Sequence, residues 1–369
     1  MNDVVNLIGA ARAAISTWRS AASRSFIQGP LRMSLRRPLA RLFMTPVLVW
    51  ACSLALAANK DLSREKIVDL DHLTEVSPGV HVIEDKDHVV LVPNVTLITG
   101  KDAVLVVDTG LGTESARRVL QTAERLAKGK RLYLTTTHFH PEHGFGAHVF
   151  KGKATLIYNR AQRDELLKKG PAYRRLFSER LGVAEALKDM RFVLPDIVYE
   201  REAEIDLGGR VVRLSHHQPA HTLGDQVVSV PAQGVVILGD LLETKSFPIF
   251  PWFPEIEDTD VDPVNWREIL QAVERTQPKV VIPGHGPVGT ARDLTEAVRH
   301  MDTVRDEVTK RCSSGQDLAS IQKDLTPLLR AQHPDWELQD WIANEILVYH
   351  TRLCGSASEL GLFDKVARE

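Results

Sequence analysis

Cysteine is scarce in this chain, and its scarcity excludes two kinds of protein. Only three cysteines occur among 369 residues, and they lie far apart. Small disulfide scaffolds and zinc fingers built from cysteine pairs both need more cysteines at closer spacing. Neither kind of protein can account for this sequence.

A large charge of one sign is also missing. The formal net charge is -2, and the chain is 43% hydrophobic and 25% charged, which is ordinary for a soluble globular protein. Proteins that bind nucleic acid are commonly far more basic. We therefore expect no nucleic-acid partner.

Long hydrophobic runs are lacking too, except for one short run near the N terminus. Three arginines precede an apolar segment over 42–58, which ends in Ala55-Leu56-Ala57. A basic start, an apolar stretch and small residues at the exit are typical of a secretory signal, and the run is short for a membrane span. We predict a signal-peptide region over 1–57 with the true start at Met33, and a periplasmic or secreted protein with no stable membrane span after cleavage. A lipid anchor at Cys52 and a buried helix are the lesser alternatives.

Cleavage after Ala57 changes the charge and the cysteine count. It removes seven arginines and one aspartate, which leaves 39 basic against 47 acidic residues, a net charge of -8. Such a chain is poorly suited to anionic partners. Cys312 and Cys354 remain; they could pair in an oxidising compartment or stay as buried free thiols, and sequence spacing does not decide between these.

The rest of the chain alternates short strands with helices, which predicts an α/β layered sandwich. Apolar periodicity predicts a helix over Thr113–Lys128, and the pattern is helical from Ala291 onward. We expect one domain over 58–290 and a helical extension over 291–369. The predicted strands are Val80–Glu84, Val89–Val92, Val95–Thr99, Ala103–Asp108, Arg131–Thr137, Ala154–Tyr158, Ala203–Leu207, Arg210–Ser215, Gln226–Val230, Val235–Leu238 and Lys279–Pro283.

The segment after Arg131–Thr137 carries the densest cluster of metal-binding side chains. His138, His140, Glu142 and His143 lie within six consecutive positions, and two glycines follow them. Imidazole and carboxylate are the ligands that zinc-type ions take. If the strand continues, residues two apart share a face, so His138 and His140 could hold one ion together.

Four other strand ends repeat this theme, each beside glycine. They supply Asp108, His221, Asp240 and His285. Taken singly, Asp108 could cap a helix and the Gly239-Asp240 pair could be a turn. Taken together and in this order, they predict that the strand ends converge on one centre.

These five segments resemble the metallo-β-lactamase superfamily, whose pattern is Asp, then H-x-H-x-D-H, then His, Asp and His. The resemblance runs from about 80 to 290 and implies a four-layer αββα sandwich, here with a helical C-terminal extension. Within the superfamily, Leu238–Glu243, the aromatic loop Phe247–Pro254 and the helical tail make the chain similar to exported zinc hydrolases associated with quinoprotein dehydrogenases.

The resemblance implies a site with two divalent metal ions, most readily Zn²⁺. It places His138, His140 and His221 on one metal and Glu142, His143 and His285 on the other, with Asp240 bridging. Asp108, Glu142 and Asp240 are the candidate catalytic residues, Asp108 by steadying the ligand loop. Glu142 departs from the family's Asp; it could be a ligand, or a general base beside a single tightly held metal.

The function implied is that of a metal-dependent hydrolase using a metal-bound hydroxide on a small ester, lactone, thioester or amide. Hydrolysis of β-lactams belongs to this class, although nothing in the sequence singles it out. The alternative is a catalytically weak accessory or binding protein of a periplasmic quinoprotein system. The aromatic loop at 246–254 could line the site or pack on the core. His148, His216 and His217 are not expected to be ligands. The sequence leaves the oligomeric state open.

Overall fold

A computed structural model of the protein describes residues 66–89, 91–217 and 219–354. Its first sheet has seven strands, in the spatial order β1 to β7. The first four form an antiparallel meander, and β4, β5, β6 and β7 are parallel. The strands are β1 (Leu73–Ser77), β2 (Val80–Ile83), β3 (Val95–Thr99), β4 (Ala103–Val107), β5 (Arg131–Thr135), β6 (Thr155–Asn159) and β7 (Ile197–Tyr199).

The second sheet has five strands in the order β12-β11-β10-β9-β8. Its neighbours are antiparallel except for the parallel pair of β11 and β12. The parallel pair brings the carboxyl ends of β11 and β12 to the same edge. The strands are β8 (Glu202–Asp206), β9 (Val211–His216), β10 (Gln226–Val230), β11 (Val235–Glu243) and β12 (Val280–His285).

Helices cover the outer face of each sheet. Ala116 and Val119 of one helix pack on the first sheet, and Trp266 and Val304 of two others pack on the second. Between the sheets lies a third apolar layer that includes Val82 and Leu214. The helices are α1 (Gly112–Ala127), α2 (Pro141–Gly144), α3 (Arg160–Arg180), α4 (Ala184–Leu187), α5 (Pro263–Arg275), α6 (Ala291–Ser313), α7 (Leu318–Gln332) and α8 (Ile342–Cys354). The predicted αββα sandwich with C-terminal helices is confirmed.

Three predicted strands differ clearly from the structure. The one expected over Val235–Leu238 continues to Glu243, so Asp240 lies within β11 and not after it. The other two differ for local reasons. The strand expected at Val89–Val92 is a turn, because Val92 N donates to Val89 O (3.0 Å) and Leu91 has a left-handed φ of 65°. The strand expected to reach Thr137 ends at Thr135, because Thr137 N turns to donate to the side chain of Asp108 instead. His138 and His140 therefore lie in a bend and not in a strand.

A disulfide joins two C-terminal helices. It links Cys312 near the end of α6 to Cys354 at the end of α8, with the Cα atoms 5.9 Å apart. Of the two states left open by the sequence, the structure has the paired one.

The predicted signal region, Met33 and Cys52 lie outside the described residues. Among those that are described, none of the helices has the length and apolarity needed to cross a bilayer.

Candidate metal centre

The loop between β5 and β6 holds four of the predicted ligands in one short, buried turn. Pro141 opens α2, and His143 N and Gly144 N both donate to His140 O (3.1 and 2.9 Å). Proline suits this position because it needs no hydrogen-bond donor there. The turn folds Glu142 and His143 back beside His138 and His140.

All seven predicted metal ligands lie in two groups. We call His138, His140, His221 and Asp240 the first ligand set, and Glu142, His143, Asp240 and His285 the second ligand set. Within each set, one ligand atom per residue lies within 4.8 Å of the others, and every member is buried. Asp240 belongs to both.

Asp240 directs one carboxylate oxygen to each set. Its Oδ2 lies 3.7 Å from both His138 Nε2 and His221 Nε2. Its Oδ1 lies 3.1 Å from His143 Nε2 and 3.6 Å from His285 Nε2. This is the arrangement that a carboxylate shared between two cations requires.

Several of these ligand atoms have no hydrogen-bond partner although they are fully buried. Buried polar atoms are almost always paired, so a group of unpaired ones calls for an explanation such as an ion. The unpaired atoms here are His138 Nε2, Glu142 Oε2 and His285 Nε2. His143 Nε2 and Asp240 Oδ1 lie 3.1 Å apart but are not aligned as a hydrogen bond. Nitrogen and carboxylate oxygen converging in this way fit divalent ions of the zinc type.

A hydrogen bond on the far side of each ring fixes which nitrogen faces the centre. His221 Nδ1 donates to Ile249 O (3.0 Å), and His285 Nδ1 donates to Val92 O (3.0 Å). These bonds leave Nε2 free to ligate. His140 is reversed, since its Nδ1 faces His221 Nε2 at 3.1 Å.

Asp108 holds the site together without lining it. Its side chain is 1% exposed. It accepts from His143 Nδ1 (3.0 Å), from Thr137 N (2.6 Å) and from Thr137 Oγ1 (2.9 Å). Its left-handed φ of 70° is an uncommon conformation for a non-glycine residue. Through these hydrogen bonds Asp108 fixes the position of the His143 ring and of the loop at Thr137.

Two glycines let the backbone come close to Asp240. A Cβ on Gly284 would lie 1.9 Å from Asp240 Oδ1. Gly239, with φ of 54°, would place a Cβ 2.4 Å from Thr137 Oγ1. The glycine beside each strand-end ligand therefore has a steric reason here.

Burial favours the neutral form of the three histidine rings in the first ligand set. It lowers the pKa of His138 and of His140 well below the ordinary value, and it lowers the pKa of His221 to about 4. A neutral ring has the lone pair that a metal needs.

In the second ligand set the pKa shifts favour opposite charges on His143 and Asp240 in the metal-free protein. Burial alone would lower the pKa of His143, but Asp240 and Asp108 raise it well above its ordinary range. Burial alone would raise the pKa of Asp240, but His143, His285 and His138 hold it well below. A cation entering this set would displace the proton that His143 holds there.

The remaining predictions near the site have mixed outcomes. His148 contacts Thr113 (3.1 Å) and His216 contacts Asp225 O (3.0 Å), so neither belongs to a ligand set. In the aromatic loop, Phe247 and Phe250 are fully buried in the core. Of the two interpretations of that loop, the structure favours packing for these residues, while the carbonyl of Ile249 holds His221.

Sequence reasoning missed the residues that hold the ligand loops. Asn94 donates through Nδ2 to Pro283 O (2.9 Å) and Gly286 O (2.8 Å), which clamps the loop of His285. Thr137 and Tyr173 contact the histidine loop. Thr137 adjoins the motif and could have been suspected, whereas Asn94 and Tyr173 carry no local signal.

Comparison with known proteins finds a relative of similar sequence. A linear primary-alkylsulfatase of Pseudomonas sp. (strain ATCC 19151) is 23% identical over 259 residues, which are 63% of this chain and 48% of that protein. The chain thus spans about half the length of that curated relative.

Solved structures show the same fold. The sec-alkylsulfatase Pisa1 from Pseudomonas sp. matches with a TM-score of 0.58 and 17% identity, over 78% of this chain and 51% of that one. A metallo-beta-lactamase family protein from Thermus thermophilus matches with a TM-score of 0.53 and 18% identity, over 74% of this chain and 93% of that one.

A family model decides the relationship. The model of the metallo-beta-lactamase superfamily matches residues 88–285. That segment is more than half of the chain, and it contains both ligand sets with Asp108. The chain belongs to the metallo-beta-lactamase superfamily, whose members are metal-dependent hydrolases.

Proposed function

We propose that this protein is an exported hydrolase with two divalent metal ions, most readily Zn²⁺, that cleaves a small ester, lactone, thioester or amide. The observation that carries the proposal is Asp240, whose two oxygens face two separate ligand sets. Two bound divalent ions would supply Lewis acidity and lower the pKa of water toward about 7.

The chain's own residues determine where the substrate can enter. Among the histidine and carboxylate ligands, His285 and Glu142 are the most exposed, at 8% and 6%, while His143 is at 0%. A substrate would therefore arrive on the side of the second ligand set. His285 and Glu142 would meet it first, with Glu142 acting either as a ligand or as a carboxylate that accepts a proton from water.

No cysteine of the described part of the chain can serve as nucleophile. Cys312 and Cys354 are bonded to each other in the C-terminal helices. This supports direct attack by water in place of a covalent intermediate on cysteine.

A second candidate substrate is an alkyl sulfate ester. It is favoured by the sequence similarity to a linear primary-alkylsulfatase, which covers 63% of this chain. The association with a quinoprotein system rests only on the sequence features given above, and it remains the alternative in which turnover is weak.

The test combines metal content with a substrate panel. Protein spanning 58–369 is reconstituted with Zn²⁺ and assayed on p-nitrophenyl acetate, p-nitrophenyl sulfate, a thioester, a lactone and a chromogenic β-lactam. We expect two metal equivalents and turnover that Asp240→Asn abolishes. Two equivalents without turnover of any substrate would favour the accessory role, and absence of bound metal would refute the proposal.

Export is tested separately. Residues 1–57 and 33–57 are each fused to a periplasmic reporter. Export with both fusions, with cleavage directly after Ala57, is expected. A reporter that stays in the cytoplasm with both would refute export.

A further inference from the structure

One face of α3 lies behind the first ligand set. Glu165, Lys169 and Tyr173 are spaced four residues apart, so they share a face of the helix. All three are buried, at 3%, 2% and 0% exposed. The ring of Tyr173 stacks on that of His140, with centroids 4.9 Å apart and planes inclined by 26°. This face is therefore a candidate support for His140.

A chain of hydrogen bonds leads outward from His140. The Tyr173 hydroxyl lies 3.2 Å from His140 Nε2 and donates its own proton to Asp258 Oδ2. Because the Tyr173 proton is committed to the carboxylate, its oxygen must accept the hydrogen on His140 Nε2. The lone pair of His140 is thereby left on Nδ1, the atom that faces His221 Nε2.

Asp258 is itself held in place from two directions. Lys169 Nζ donates to Asp258 Oδ1 (2.9 Å), and it also contacts Glu165 Oε1 and Asp260 Oδ2, both at 2.8 Å. The backbone of Asp258 pairs with that of Phe253, with N···O distances of 2.7 and 3.1 Å. A buried carboxylate with these partners has little freedom to move away from Tyr173.

The other ligand rings are held differently. His221 and His285 donate to backbone carbonyls, and His143 donates to Asp108. His140 differs because it directs Nδ1 toward the first ligand set. Its support comes from the side chains of Tyr173 and Asp258, which lie 33 and 118 residues away along the chain. Nothing in the H-x-H segment encodes that support.

We propose that Tyr173 and Asp258, backed by Lys169, form a positioning relay that fixes the tautomer of His140 and strengthens the first ligand set. A carboxylate that accepts from the far side of a ligating ring raises the basicity of the ring, here through the tyrosine hydroxyl. The inference rests on the proposed metal site, and it adds residues outside the superfamily motif to that site.

The test measures how tightly each metal equivalent is held in Tyr173→Phe and Asp258→Asn. Affinities are determined by competition with a chromophoric chelator, using Zn²⁺ alone. Loss of an outer partner commonly costs about 10- to 100-fold in metal affinity. We expect one equivalent to weaken by that factor in Tyr173→Phe, and by less in Asp258→Asn, whose neutral amide can still accept from the hydroxyl.

Two controls separate positioning from folding. Tyr349→Phe removes the hydroxyl of a tyrosine on α8 that is 2% exposed and lies in the core beneath the second sheet. It should leave the affinity for both metal equivalents unchanged. Asp108→Asn should weaken the other equivalent, because Asp108 holds His143. The melting temperature of each metal-free variant is recorded beside these titrations.

A spectroscopic readout reports the tautomer directly. In long-range ¹H–¹⁵N spectra of the zinc-loaded protein, His140 should carry its proton on Nε2 while His143, His221 and His285 carry theirs on Nδ1. The His140 signal should shift in both relay variants and stay unchanged in Tyr349→Phe.

The outcomes are distinguishable. Unchanged affinities and an unchanged His140 signal in both relay variants would overturn the relay while leaving the metal site intact. Equal weakening of both equivalents, with a melting temperature below that of Tyr349→Phe, would also overturn it, because Tyr173 would then act only by packing. A wild-type protein that binds no zinc would refute the proposed function itself.

Discussion

Replacing Glu142 tests the second ligand set at the position where the chain departs from its superfamily pattern. Glu142 Oε2 is buried without a hydrogen-bond partner, and with Asp240 it provides the negative charge of a set completed by two rings. In Glu142→Gln one carboxylate remains. We expect one metal equivalent to bind at least about 100-fold more weakly, because loss of even an outer partner costs about 10- to 100-fold.

The assay is metal content per chain after dialysis, followed by competition with a chelator. The wild-type protein should retain two equivalents and Glu142→Gln one. Glu142→Asp restores the shorter carboxylate and should retain two. Glu345→Gln is the matched control, since Glu345 is equally buried but pairs with His300 between α6 and α8.

Two results would refute this reasoning. If Glu142→Gln retains both equivalents with unchanged affinity, Glu142 is not a ligand. If wild type and variant each hold one equivalent, the site is mononuclear. In either case a loss of activity in the variant, with metal retained, would identify Glu142 as the general base.

Three further predictions concern the glycine beside the bridge, the disulfide and a buried acid. Gly284→Ala should displace Asp240 and lower the metal content. Gly144→Ala should not, because the nearest heavy atom to its added Cβ would be 3.6 Å away. Equal metal content in the two variants would contradict this prediction. Cys312→Ser should lower the free energy of unfolding by about 4 kcal/mol, because it opens a loop of 42 residues. Chemical denaturation with and without reductant checks this, and the reductant should destabilise only the wild type. Burial raises the pKa of Glu165 to about 7, so the folded protein retains a proton that the unfolded chain has lost above pH 4.5. The free energy of unfolding of the metal-free wild type should therefore fall by on the order of 2–3 kcal/mol as the pH rises from 4.5 to 7. In Glu165→Gln it should fall by less. Parallel plots of unfolding free energy against pH for the two proteins would contradict this prediction.

Local sequence patterns predicted most of the elements that carry the site. β3 and β10 have the predicted bounds because β-branched residues are bounded there by turn residues. Two edge strands, β1 and β7, were not predicted. They have few fully buried residues, so the apolar pattern that marks a strand is weak in them.

The ligand types and their order could be predicted from the sequence, since each lies close to a glycine and to an apolar strand. Asp240 and His285 come together because β11 and β12 are parallel neighbours in one sheet. His138 follows β5 of the other sheet and meets them only because the two sheets pack face to face. The residues that orient them could not be predicted. Asn94 reaches a loop almost 190 residues away, and no local pattern marks such a contact.

Residue types and their order are enough to indicate the chemistry of this protein: which side chains can ligate, in what order, and on which kind of fold. The tertiary structure alone decided how those side chains are oriented. It directs one oxygen of Asp240 to each ligand set and places Asp258 behind Tyr173, 85 residues away along the chain. The physical reason is that residue type and periodicity are local properties, whereas a hydrogen bond between distant residues exists only once helices and loops have packed.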